Sequence, residues 1–197
     1  MQIKKDDIRD NILAAAEKEF LKRGFKNSSM RTIAAKSHTT LGNLYNYFQN
    51  KEAILDVIIG DTPDQIYKVL NEHQSYSESF PLSKEEMEDN FDDLVITYMP
   101  RFFPLELLLS NSLIILMEGC EGTKYEPFRQ IFFQLFQNHI AFHLKVESNS
   151  FLAKSMAHGF LSSLIFIGKN KKNMEDGRKD LLNYIRTMVL GMPINRK

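Results

Sequence analysis

The chain has 197 residues, 43% of them hydrophobic and 25% charged, which is enough apolar material for a sizeable core and excludes a disordered tail. Lys plus Arg and Asp plus Glu both number 25, and that neutral average, taken alone, argues against a nucleic-acid partner. The distribution argues otherwise: residues 1 to 51 carry ten basic and five acidic side chains, residues 52 to 99 two and twelve, and residues 100 to 197 thirteen and eight.

Six basic residues (Lys22, Arg23, Lys26, Arg31, Lys36, Lys51) and no acid lie between Lys22 and Lys51. Such asymmetry points to nucleic acid or a membrane surface, with chance clustering on a solvated face as the alternative. The single cysteine, Cys120, leaves no intrachain disulfide and no CxxC metal motif. The opening residues are polar, without the apolar core of a signal peptide. The longest apolar stretch, Leu105 to Met117, is interrupted by Ser110, Asn111 and Ser112 and falls short of the roughly 20 residues of a membrane span. A soluble cytoplasmic protein without a membrane partner is expected.

Apolar residues recur at helical spacing throughout, so the expected fold is all-α with about nine or ten helices. Ile8, Ile12, Ala16 and Phe20 line one face of a first helix closed by Gly24. A short second helix follows, capped by Ser28 or Ser29, with Ile33 and Ala34 inward. A third spans about Thr40 to Phe48. Lys51 opens a fourth, capped by Asn50 and interrupted at Gly60, after which Thr62, Pro63 and Gln65 have the pattern of a fresh start.

Ser83 and Glu86 introduce a helix with Met87, Phe91, Leu94 and Tyr98 inward, stopped by Pro100. One continuous helix is expected from Leu105 to about Glu118, apolar almost all round and so central. Pro127 begins a phenylalanine-rich helix. Two more, about Asn149 to Ile167 and Met174 to Leu190, complete the chain. The composition shifts most sharply at Lys51, predicting a three-helix unit over 1–50 and a larger domain over 51–197.

The stretch from Gly24 to Lys51 carries the functional signal. Two short helices separated by three or four residues, with Leu44 and Phe48 able to pack on Ile33 and Ala34, form a helix-turn-helix. The outer face of the second helix then offers Thr40, Leu41, Asn43, Asn46 and Tyr47 to a groove. These residues, G-F-x-x-S-S-M-R-T-I-A-x-x-S-H-T-T-L-G-N-L-Y-N-Y-F-x-N-K, resemble the DNA-binding domain of TetR-family transcriptional regulators over about residues 8 to 55. His38 and Thr39 depart from the family pattern, which has glycine and valine there. Histidine is among the few non-glycine residues enriched at φ > 0, and the Thr39 hydroxyl needs a partner.

The resemblance implies phosphate contacts from Ser29, Arg31, Tyr45, Tyr47 and Lys51, and places Thr40, Leu41 and Asn43 in the major groove, Leu41 suited to a thymine methyl and Asn43 to either an adenine edge or a phosphate. Tyr45 has half-buried packing as its alternative role, and Lys51 that of a solvated cap. The resemblance also implies an all-helical domain that binds an effector and dimerises through its last two helices. Ser155, Gly159 and Ser163 are spaced for close helix approach and Leu181, Ile185 and Met188 form an apolar stripe, both available to a homodimer or to internal packing.

Phe132, Phe136 and His139 share a helical face that Phe102, Phe103 and Met117 can join, as plain core or as a pocket for a small apolar or aromatic effector. His139 and His143 are spaced for a metal but have no obvious third ligand beyond Cys120, Glu118 or Glu121, and neither a metal nor a cofactor is expected. No glycine-rich phosphate loop or nucleophile elbow suggests an enzyme. The expected function is a ligand-responsive repressor, homodimeric on a palindromic operator. The alternative is a coactivator or adaptor of the same fold without autonomous DNA binding.

Overall fold

A computed structural model describes residues 5–79 and 104–191. The regular structure among them is helical: α1 (Lys5–Arg23), α2 (Met30–Lys36), α3 (Leu41–Tyr45), α4 (Lys51–Ile59), α5 (Thr62–Ser79), α6 (Leu105–Leu108), α7 (Asn111–Glu118), α8 (Phe128–Leu144), α9 (Phe151–Asn170) and α10 (Met174–Gly191). The helix expected after Ser83, and Phe102 and Phe103, lie outside the described residues. The described residues form two compact units, one of 5–63 with 111–129, the other of 64–79, 104–110 and 130–191. Residues 51–63 and 111–129 thus pack with the N-terminal helices.

In the first unit α1 buries Ile12, Ala16 and Phe20 against α2, α4 and α7. Gly24 ends α1 at φ +73°, where a Cβ is disfavoured, and its N–H donates to the Phe20 carbonyl at 2.8 Å. Short helices need caps because their first N–H groups have no partner within the helix. Ser29 Oγ accepts from Thr32 N, Thr40 Oγ1 from Asn43 N and Asn50 Oδ1 from Ala53 N. Gly60 ends α4 at φ +54°, ψ −135°, a glycine conformation, and Thr62 restarts the helix.

Two expected helices are altered. The third is shorter than Thr40 to Phe48: it stops at Tyr45, and Tyr47 N and Phe48 N both turn back to the Leu44 carbonyl. The stretch from Leu105 to Glu118 is broken rather than continuous. Leu109 N closes on Leu105 O, Ser110 N and Oγ both fold onto the Leu107 carbonyl, and the helix resumes at Asn111, whose side-chain amide donates to Glu17 at 3.0 Å. Serine side chains that satisfy local carbonyls compete with the helical ladder. The all-round apolar character belongs to α7 alone, where Leu113 through Met117 are buried in the first unit.

In the second unit Phe136 stacks on Phe160 with ring centroids 4.1 Å apart, and Phe132 and His139 flank it at 6.3 and 5.8 Å. Helix α9 is capped by Ser150, buries Ala153, Ala157, Phe160, Leu161 and Leu164, and packs on α10, with the Phe160 ring 6.2 Å from that of Tyr184. Its 20 residues have the length and apolar content of a membrane span, but this inner face is buried in the unit.

Candidate nucleic-acid interface

The helix-turn-helix is built by α2, the turn Ser37–Thr40 and α3. Ile33, Ala34, Leu44 and Phe48 are buried, so the inward positions hold α3 on α2 and the opposite face of α3 is turned out. His38 takes φ +55°, the left-handed conformation its position in the turn requires. The Thr39 amide donates to the Ala34 carbonyl at 3.0 Å, and its hydroxyl oxygen accepts the Asn43 side-chain amide at 2.8 Å. The hydroxyl thereby has its partner on the recognition helix itself.

Ser29, Arg31, Thr40 and Asn46 are exposed, Tyr45 is 51% exposed, and Leu41, Asn43 and Tyr47 are partly so. Ser29 Oγ is engaged twice, as cap and with Thr32 Oγ1 at 2.8 Å. Lys51 is turned inward instead of out to phosphate or solvent. Its ammonium donates to the carbonyls of Phe25 and Ser28 at 2.6 and 2.7 Å and lies 4.0 Å from the Phe25 ring centroid. Desolvation lowers its pKa from the usual lysine value.

Tertiary structure also supplies acids that the sequence run lacks. Glu19, wholly buried on α1, pairs with Lys36 and with Arg23, the latter at 3.4 Å. Glu121 pairs with Lys26 at 2.5 Å and raises its pKa, chiefly through their hydrogen bond. Three of the six basic residues in the run, Arg23, Lys26 and Lys36, are thus partly offset by acids from outside it.

The segment 119–126, not anticipated from sequence, ties two parts of this unit together. The Gly119 carbonyl accepts from Phe25 N at 2.7 Å, Glu121 holds Lys26, and Lys124 and Tyr125 both donate to Asp56 of α4 at 2.9 Å. Burial pushes the Asp56 carboxyl up, but the hydrogen bonds from Lys124 and Tyr125 and the Lys124 charge outweigh it and hold the pKa below the ordinary range.

A carboxylate depressed on folding stabilises the native state above its unfolded pKa, near 3.8, and loses that contribution as pH falls through the folded value. Asp56→Ala is accordingly expected to cost about 0.5 to 1 kcal/mol at pH 7, as for an exposed pair, and progressively less as the pH drops below 4. Thermal melts at the two pH values check this; an equal deficit at both would show that the carboxylate charge is irrelevant.

Of the residues named for an effector pocket, Phe132, Phe136 and His139 come together on one helix, and Phe102 and Phe103 lie outside the described residues. Phe132, Phe136 and His139 are buried in the aromatic stack of the second unit, and Met117 is buried in the first. A concavity of about 360 Å³ in the second unit is lined instead by Gln65, Lys68, Val69, Glu72, Pro104 and Leu107. Of the residues named for subunit pairing, Ser155 and Gly159 are exposed and Ser163 and Met188 partly so, whereas Leu181 and Ile185 are buried within this chain. Among the described residues no three His, Cys, Asp or Glu side chains cluster as metal ligands.

Residues 12–58 match the family model of bacterial regulatory proteins, tetR family. The HTH-type transcriptional regulator YfiR of Bacillus subtilis is 24% identical over 193 residues, covering 94% of this chain and 93% of that protein. YdgC of Bacillus subtilis, also an HTH-type regulator, is 36% identical over 69 residues, and UidR of Escherichia coli 37% over 59. These two alignments span 35% and 30% of this chain and the same shares of the relatives' lengths. The matched segment coincides with the helix-turn-helix and the helices that support it, and over residues 12–58 the chain is similar to the DNA-binding part of tetR-family regulators.

Proposed function

We propose that the protein is a homodimeric, ligand-responsive repressor that binds a palindromic operator, with residues 1–50 as the DNA-reading part and 51–197 as the effector and dimerisation part. The observation that carries the DNA-binding reading is the division of α3 into a buried side, Leu44, and an outward side where Thr40, Leu41, Asn43 and Asn46 are accessible. Arg31 and Ser29 at the start of α2, with Tyr45 and Tyr47, supply phosphate contacts. Lys51 serves that surface indirectly by holding the 25–28 turn.

Dimerisation is supported by the outer face of α9. Phe151 is 90% and Phe166 68% exposed, with Ser155, Gly159 and Ser162 between them, a small-residue face bracketed by large apolar groups that a second copy would cover. Leu181 and Ile185 support α10 from inside and take no part in the subunit contact. Phe166→Asp is expected to convert the dimer to monomer, read by light scattering on a sizing column; an unchanged mass would place the interface elsewhere.

Responsiveness is supported by the 119–126 segment, which joins α4 to the turn that precedes α2. An effector that displaces this segment would move both at once, and a coupling of about 1 to 3 kcal/mol is typical of such linkage. The concavity beside Lys68 and Glu72 suits an amphipathic effector, with Val69, Pro104 and Leu107 as its apolar lining.

Binding to DNA fragments from the protein's own genomic neighbourhood, at several salt concentrations, tests the whole reading. About eight phosphates neutralised per dimer give a log–log salt slope near −7, at ~0.9 per phosphate. Arg31→Ala should reduce the slope by about 1.8 per dimer. No specific binding at low salt would overturn the proposal in favour of an adaptor.

A further inference from the structure

Thr39 and Asn43 are separated by one helical turn and joined by a hydrogen bond at the edge of the proposed reading face. The Asn43 amide nitrogen donates to Thr39 Oγ1 at 2.8 Å. The acceptor is itself well placed. Thr39 is anchored through its own N–H to the Ala34 carbonyl at 3.0 Å, His38 turns the chain at φ +55°, and Thr40 caps the helix by accepting Asn43 N at 3.1 Å. Both ends of the Asn43 residue, backbone and side chain, are thereby tied to the turn.

An asparagine amide can normally present either its oxygen or its nitrogen to a partner. Here Nδ2 faces Thr39 and donates one N–H to its hydroxyl oxygen, so Oδ1, an acceptor, is directed away from Thr39. Gly42 beside it leaves open space, since a Cβ there would meet nothing within 4 Å.

In the major groove, adenine N6 and cytosine N4 are donors, whereas guanine O6 and thymine O4 are acceptors. We infer that Thr39 is a specificity-determining positioning residue: it locks the Asn43 amide with its oxygen outward, so that Asn43 selects an amino base, adenine or cytosine, against a keto base at one position of each half-site. The inference rests on the DNA-binding reading above. Thr39 itself touches no base and acts only through Asn43.

The test is selection of bound fragments from a randomised duplex pool by the full-length protein, followed by sequencing. Wild type is expected to enrich adenine or cytosine over guanine or thymine by about 2- to 10-fold at one position per half-site, the range of a single hydrogen bond. Asn43→Ala should abolish that preference there and leave the others. Thr39→Val keeps the branched volume but removes the acceptor, and should flatten the same position; Thr39→Ser keeps the hydroxyl and should retain it. In the double variant Thr39→Val, Asn43→Ala no further loss is expected at that position.

A keto preference at the Asn43-dependent position would mean that the amide nitrogen points outward, and would overturn the inference. So would a Thr39→Val protein with undiminished amino preference, loss of the preference in both Thr39→Ser and Thr39→Val, or a motif with no position that responds to Asn43. These outcomes leave DNA binding itself standing. Failure of wild type to enrich any sequence would overturn the DNA-binding reading and the inference together.

Discussion

Replacing Leu44 with alanine is expected to destabilise the N-terminal unit by about 2 to 5 kcal/mol and to lower its melting temperature by at least roughly 8 °C. Leu44 has no solvent exposure and is the only buried residue of α3. A helix of five residues cannot support itself, because nucleation costs more than so few hydrogen bonds return. The orientation of α3 therefore depends on Leu44 below it, Phe48 beyond it and the Thr40 cap before it. Operator affinity should fall by more than the stability loss alone implies, because contacts displaced from their register fail together. Circular dichroism melts with fluorescence anisotropy on DNA read both effects. An unchanged melting curve would mean that α3 is held by something other than its buried leucine.

Lys51→Met should cost about 1.5 to 3 kcal/mol, the scale of hydrogen bonds to a charged group. It removes the donor from the carbonyls of Phe25 and Ser28 and the cation from the face of Phe25, while keeping an apolar stem of similar length. The pH dependence has a definite sign. A lysine whose pKa is depressed on folding binds fewer protons in the native than in the unfolded state within the alkaline window between the two values, so stability rises with pH there. Near neutrality the deficit of Lys51→Met should be flat, and it should widen only as pH rises through the depressed pKa. If Lys51 were instead a simple phosphate contact, melting would be unaffected and the salt slope would fall by about 0.9 per site. Lys51→Arg is not expected to restore stability, since a planar guanidinium fork does not reproduce two convergent bonds from one ammonium.

The two substitutions separate two ways in which the sequence bears on DNA contact. Leu44 acts through apolar periodicity, which is visible in any helical projection of residues 40 to 48. Lys51 acts through a partner 23 to 26 residues earlier in the chain, and no local pattern announces that a basic residue at a helix start will fold back onto carbonyls. The six-residue basic run carries the same lesson. Within Lys22 to Lys51 there is no acid, yet Glu19 lies one turn before Arg23 and Glu121 arrives from 95 residues away to meet Lys26.

Local chemistry determined a good deal about this protein. Caps at Ser29, Thr40 and Asn50, the glycine ends at Gly24 and Gly60 and the restart at Thr62 all depend on groups within a few residues of one another, so sequence spacing specifies them. The left-handed turn at His38 is legible for the same reason. The break at Leu109 and Ser110 was not, because an apolar run looks continuous until a serine chooses the carbonyl behind it over the water in front.

Tertiary packing alone decided the rest. It grouped α7 and the 119–126 segment with the N-terminal helices and gave Asp56 its partners Lys124 and Tyr125. It also buried Phe132 and Phe136 in a stack and left Phe151 and Phe166 at the surface. An amphipathic pattern states which side of a helix is apolar but not which neighbour, or which subunit, covers it. Charge count behaves likewise: neutrality is a property of the whole chain, while the potential felt by a phosphate depends on which acids lie within a Debye length, about 10 Å at 0.1 M salt.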